Sequence, residues 1–115
     1  MTPNELRART KRFAVEVVRL SRELPMTVDG RAVGGQLLRA ATSVAANYRS
    51  ACRGRSRAEF VAKLGIVLEE ADESLLWLEL ILEAGVASGL KIEKLLKEAD
   101  ELTAIFTTAM KTAKG

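Results

Sequence analysis

The chain has 115 residues, 48% apolar and 29% charged, with a net charge of +3 and no His. That is the composition of a folded rather than a disordered chain, and its length suits one domain, residues 1–115, around a single core. One Cys forms no internal disulfide, and the missing imidazoles remove Ser-His triads, zincin sites and Glu-x-x-His di-iron motifs, so the composition points to a protein that is not an enzyme and carries no cofactor or metal.

Thr2-Pro3-Asn4-Glu5 reads as a capping box with Pro at the first helical position. Leu6, Thr10, Phe13, Val17, Leu20 and Leu24 then recur at three- and four-residue spacing until Pro25. Residues 26–30, closing on Asp29-Gly30, form the expected turn. A second helix is predicted over about residues 31–53, with Leu37, Leu38, Ala41, Val44, Ala45 and Tyr48 as its stripe. Ser56-Arg57-Ala58-Glu59 is a second capping box, opening a third helix over about 57–84. Its expected core face is Phe60, Leu64, Val67, Leu68, Ala71, Leu75, Leu78 and Leu82, and Gly85-Val86 suits a left-handed helix end. A fourth helix follows over about 90–112 on Ile92, Leu95, Ala99, Leu102, Phe106 and Ala109. Four amphipathic helices, short turns and no period-two alternation predict an all-α, antiparallel up-down four-helix bundle.

The apolar surface exceeds what one bundle buries. Ile66, Leu76, Trp77 and Leu80 fall outside the stripe of the third helix, Val15 and Val18 lie off that of the first, and Ala40, Val44, Asn47 and Ala51 form a small-residue seam on the second. These positions predict a homo-oligomer meeting through the third helix and a neighbour. Asn47, amid small and apolar residues, is expected to be a structural polar residue that sets helix register. No apolar stretch is long enough for a bilayer, since Leu75 to Leu82 is short and broken by Glu79; no membrane is expected, and with no signal-like segment after Met1 the expected location is cytoplasmic.

Charge is divided along the chain. Residues 1–57 hold eleven Arg and one Lys against four acids, a balance of +8; residues 58–115 hold six Lys against eleven acids, a balance of −5. Either the halves neutralise each other, within or between subunits, or the basic half faces an anionic partner. Arg49, Arg53, Arg55 and Arg57 surround the start of the third helix, where free N–H groups already favour an anion, and Tyr48 adjoins them. Arg7, Lys11, Arg19 and Arg22 point away from the first helix's stripe and extend the candidate surface. The acidic run Glu69, Glu70, Asp72 and Glu73, with Glu79 and Glu83, lacks metal-site spacing and reads as a solvated or Arg-paired face. Cys52 reads as a small core residue.

The run from Gln36 to Tyr48 and the run from Arg55 through Ser74 to Leu80 together resemble a small bacterial four-helix-bundle family. That family includes proteins encoded in intervening sequences of large-subunit ribosomal RNA genes and the accessory variability determinant of diversity-generating retroelements. The resemblance covers nearly the whole chain. It implies an antiparallel four-helix subunit, a ring- or barrel-shaped homopentamer and no catalytic residues. For the retroelement branch it implies a basic surface for a reverse transcriptase and nucleic acid; the net charge of +3 departs from the strongly basic members of that branch. The expected function is a non-enzymatic homo-oligomeric scaffold or binding protein whose Arg-rich face contacts nucleic acid or a nucleic-acid enzyme. The alternative is an oligomeric protein-interaction module whose arginines are spent on inter-subunit ion pairs.

Overall fold

Four helices account for most of the chain in the computed structural model, and each begins where a side chain or a glycine permits it. Helix α1, Pro3–Ser21, starts with the Thr2 hydroxyl accepting from the Glu5 backbone N–H at 3.1 Å. Helix α2, Val28–Cys52, starts a few residues before the predicted boundary. Thr27 is its cap, accepting from the Gly30 N–H at 3.2 Å, and the Asp29 carboxylate accepts from the same group at 2.9 Å. Asp29-Gly30 is therefore the first turn of a helix rather than the end of a loop. Glycine is required there for space, because a Cβ on Gly30 would lie 2.2 Å from the Pro25 carbonyl oxygen.

Helix α3, Arg57–Glu83, opens on Ser56, whose hydroxyl accepts from the Glu59 N–H at 3.1 Å. It closes on Gly85 at φ +70°, with Val86 N–H donating to the Ile81 carbonyl and Gly85 N–H to that of Leu82. Those two bonds satisfy carbonyls that a helix end otherwise leaves bare. Helix α4, Leu90–Lys114, begins after Gly89 at φ +115°. There are no strands.

Neighbours in the chain are neighbours in space: α1 packs on α2, α2 on α3, α3 on α4, and α4 closes back on α1, while α1 and α3, like α2 and α4, lie across the diagonals and meet only through side chains at the centre. The result is an antiparallel up-down four-helix bundle, 44 Å long and 19 Å across. The α2–α3 turn and both chain termini share one end; the other two turns share the opposite end. Phe13, Val17, Leu37, Val44, Leu64, Val67, Leu78, Ile92, Leu102 and Phe106 fill the centre, with the Tyr48 and Phe106 rings 5.4 Å apart and tilted by 50°.

Two expectations about faces are corrected. Ala40, Val44 and Ala51 are buried within the subunit, so that seam is core rather than a second surface. On α3 the buried line runs Leu64, Val67, Ala71, Ser74, Leu78 and Ile81, while Phe60, Leu68, Leu75 and Leu82 are half-buried along its flank. A serine can occupy that line because its hydroxyl donates to the Glu70 carbonyl at 2.8 Å, leaving no unpaired polar atom in the core. Buried Thr10 does the same toward Leu6 at 2.9 Å.

Candidate functional site: the basic end of the bundle

The α2–α3 turn carries a cleft of about 520 Å³ lined by Arg49, Arg53, Arg55 and Lys63, with Glu59 its one acid. Arg49 also lines a second depression, between α1 and α2, with Arg7 and Lys11. One band of six cations thus crosses α1, α2 and the start of α3. None of the six forms an ion pair within the chain; the Arg7 guanidinium donates to the neutral Asn4 side chain. Antiparallel order brings these residues together, since the beginning of α1 lies beside the end of α2.

The structure sorts the remaining predicted cations elsewhere. The Arg57 guanidinium donates to the Ala113 carbonyl near the end of α4, where a cation complements the exposed carbonyls and the helix dipole. Arg19 lies on the far side of α1, paired with Glu16 at 2.9 Å. Arg22 is exposed at the α1 C-terminus. Lys63, which the sequence pattern does not single out, joins the cleft because it lies about two helical turns into α3.

The helix terminus is a poorer anion site than the sequence suggests. Ser56 already accepts from Glu59 N–H, and the Glu59 carboxylate accepts from Arg55 N–H at 2.6 Å, so a negative charge is in place. The positive charge at this end is therefore carried by the side chains and not by the helix terminus. Tyr48 takes no part: it is buried, and burial together with the neighbouring Cys52 thiol pushes its phenol above the ordinary 10.

Other arginines are spent within the fold. Arg9 on α1 donates to both carboxylate oxygens of Glu98 at 2.7 Å and reaches Glu101 at 2.7 Å, so hydrogen bonding to Glu98 holds its guanidinium more firmly charged. Arg39 on α2 pairs with Glu70 at 2.8 Å and with Glu73. In return Glu73, contacted by Arg39 and then by the Trp77 N–H at 3.2 Å, is held below its ordinary 4.5. Part of the acidic run is thereby an Arg-paired face, and no three His, Cys, Asp or Glu side chains converge on a point that could hold a metal ion.

Of the apolar residues assigned to an oligomer interface, Leu76, Leu80, Ile66 and Val15 are exposed, at 47%, 39%, 39% and 38%. Val18 is half-buried. Trp77 is also half-buried, its ring packed on the subunit's own core. Asn47 corrects another expectation: its amide donates to the Ser43 carbonyl at 2.9 Å and the Ser43 hydroxyl at 2.8 Å, both on its own helix. Within the subunit it stabilises α2 locally and does not lock one helix against another.

The chain is thus of the small all-α four-helix-bundle class, with a cationic end and exposed apolar strips. Residues 4–108 match the model of the 23S rRNA-intervening sequence protein family, and the chain belongs to that family. The crystal structure of a protein of unknown function from the S23 ribosomal protein family of Bacteroides thetaiotaomicron VPI-5482 superposes with a TM-score of 0.84. The two are 31% identical over 96% of this chain and 99% of that one. A search of the curated proteins gives no match. No helix is long and apolar enough to cross a membrane.

Proposed function

We propose that this protein is a cytoplasmic, non-catalytic homo-oligomer, a pentamer as the family resemblance implies, whose basic end contacts nucleic acid. One observation carries the reading: Arg7, Lys11, Arg49, Arg53, Arg55 and Lys63 form one continuous cationic band with no carboxylate spent on any of their side chains. The same fold does neutralise Arg9 and Arg39, so acids are available and are placed elsewhere. A band of free guanidiniums suits phosphates bidentately. With Tyr48 buried the band offers no aromatic stacking platform, so contact with the backbone rather than the bases is expected. A ring of subunits repeats the band and adds avidity.

Fluorescence anisotropy with single- and double-stranded DNA and RNA from about 50 to 200 mM salt tests this. Binding is expected to be sequence-tolerant and to weaken steeply with salt. Replacing Arg49, Arg53 and Arg55 by Gln should flatten the log–log salt slope by about 2–3 units, about 0.9 for each phosphate no longer neutralised. Absence of wild-type binding at the low-salt end overturns the reading. A triple variant that loses its oligomer instead supports the second reading, a protein-interaction module with inter-subunit ion pairs. That reading draws on Glu69, Asp72, Glu79 and Glu83, four acids of α3 with no partner in the subunit.

A further inference from the structure

The outward faces of α1 and α3 share a pattern and differ in sign. On α1, Lys11, Val15, Val18 and Arg22 follow one another at spacings of four, three and four, away from the buried line of Leu6, Thr10, Phe13, Val17 and Leu20. That spacing sets them in one strip. On α3, Ile66, Glu69, Leu76, Leu80 and Glu83 form the corresponding strip, opposite Leu64, Val67, Ala71 and Leu78. Val15, Leu76 and Leu80 are exposed, Val18 is half-buried, and Lys11, Arg22, Glu69 and Glu83 have no ion-pair partner in the chain. A pair of cations brackets the valines, and a pair of acids brackets the leucines.

These strips cannot meet within one subunit, because α1 and α3 lie across the diagonal of the bundle. We infer that they meet between subunits: the α3 strip of one copy docks on the α1 strip of the next, apolar centre on apolar centre and Glu69 and Glu83 against Lys11 and Arg22. At 1.5 Å per residue the charged pairs are spaced by about 16 Å on α1 and about 21 Å on α3, a difference that Lys and Arg side chains span. Pairing either strip with its own copy across a two-fold axis sets like charges against each other, acid on acid for α3 and cation on cation for α1, which costs affinity. The contact is therefore heterologous, a geometry that closes into a ring or runs on as a filament. This inference rests on the homo-oligomer proposed above and identifies the two surfaces that build it; of the cationic band the contact takes Lys11 alone, and the cleft holding Arg49, Arg53, Arg55 and Lys63 stays outside it.

Two variants, each blind on one face, test it by size-exclusion chromatography with light scattering. Val15→Glu/Val18→Glu removes the α1 strip, and Leu76→Lys/Leu80→Lys removes the α3 strip. Each alone is expected to run as a 12.5 kDa monomer with its helical circular dichroism intact. Mixed in equal amounts they retain one good face apiece and should form a one-to-one heterodimer. A monomeric wild type at about 100 µM, an α1-blind variant that still self-associates, or a mixture that stays monomeric each overturns the inference. Charge reversal gives a second route should the apolar variants fold poorly. Lys11→Glu/Arg22→Glu should dissociate the oligomer, and Glu69→Lys/Glu83→Lys in the same chain should restore it; failure to restore also counts against the contact. Nucleic-acid binding is read separately through Arg53→Gln/Arg55→Gln, which should leave the mass unchanged, so the two proposals can fail independently.

Discussion

Arg9 and Arg39 differ from Arg49, Arg53 and Arg55 in neither chemistry nor half of the chain, only in what the bundle sets beside them. Arg9 lies where α1 faces α4 and finds Glu98 and Glu101; Arg39 lies where α2 faces α3 and finds Glu70 and Glu73. Arg53 and Arg55 lie where α2 has ended, beyond the acidic length of α3, and Glu59 spends its carboxylate on a backbone N–H. The +8 of the first half is thus partly answered by the second and partly left bare at one end. Overall charge balance conceals that division, and only position along the helices reveals it.

The largest expected effect of breaking this contrast is on binding. Arg49→Gln/Arg53→Gln/Arg55→Gln should lower nucleic-acid affinity at about 50 mM salt on the order of tenfold or more, since each phosphate left unneutralised keeps its counterions. Arg9→Gln and Arg39→Gln should leave it within about twofold, an outcome that charge alone would not give. Equal weakening by both sets, measured by anisotropy, would show that long-range field rather than local contact governs binding.

Stability should respond in the opposite order, and less strongly. Arg9 is the better buried of the paired arginines, with 21% of its side chain exposed against 49% for Arg39. It also spans the α1–α4 seam, the sparsest in the bundle, beside a groove of about 580 Å³ lined by Phe13, Leu20 and Leu95 among charged residues. Arg9→Met is expected to cost about 1 kcal/mol or less in urea unfolding, because a partly solvated ion pair gains little over water. Arg53→Gln should shift the midpoint by no detectable amount.

The fold is largely legible in the sequence because its signals are local. Thr2-Pro3, Ser56-Arg57-Ala58-Glu59 and Gly85-Val86 state helix ends within a few residues, and the structure uses all three. Thr27 escapes notice because Asp29-Gly30 is a stronger turn signal than Thr27 is a cap signal, and nothing local reveals that Gly30 must tuck under Pro25. The inward face of α3 differs from the expected one by a fraction of a turn because apolar residues occur all round that helix. Ser74 and Ile81 belong to the core, which no hydrophobic count assigns to a serine. For the site, the basic run is visible as composition. Its sorting is not, because Arg9 meets Glu98 across 89 residues and Arg57 meets Ala113 across 56. Such pairings are properties of the packed bundle.

The smallest expected effect belongs to Arg39, and its sign is set by Glu73. Arg39 first, and Trp77 second, hold the Glu73 carboxylate below its ordinary 4.5 in the folded chain. A carboxylate with a depressed folded value contributes stability that is present above its unfolded value and lost as the pH falls through the folded one. The wild type should therefore lose stability as pH drops below about 4.5, and Arg39→Met should lose less of it, because the carboxylate then titrates nearer its unfolded value. Above about pH 6 the two should differ only slightly, since both groups stand at the surface and water screens their attraction. Thermal unfolding from about pH 3 to pH 7 checks this, across the range where the carboxylate titrates. Parallel curves for the two proteins would mean that Trp77, rather than Arg39, holds Glu73 ionised, and Trp77→Phe should then flatten the acid limb instead.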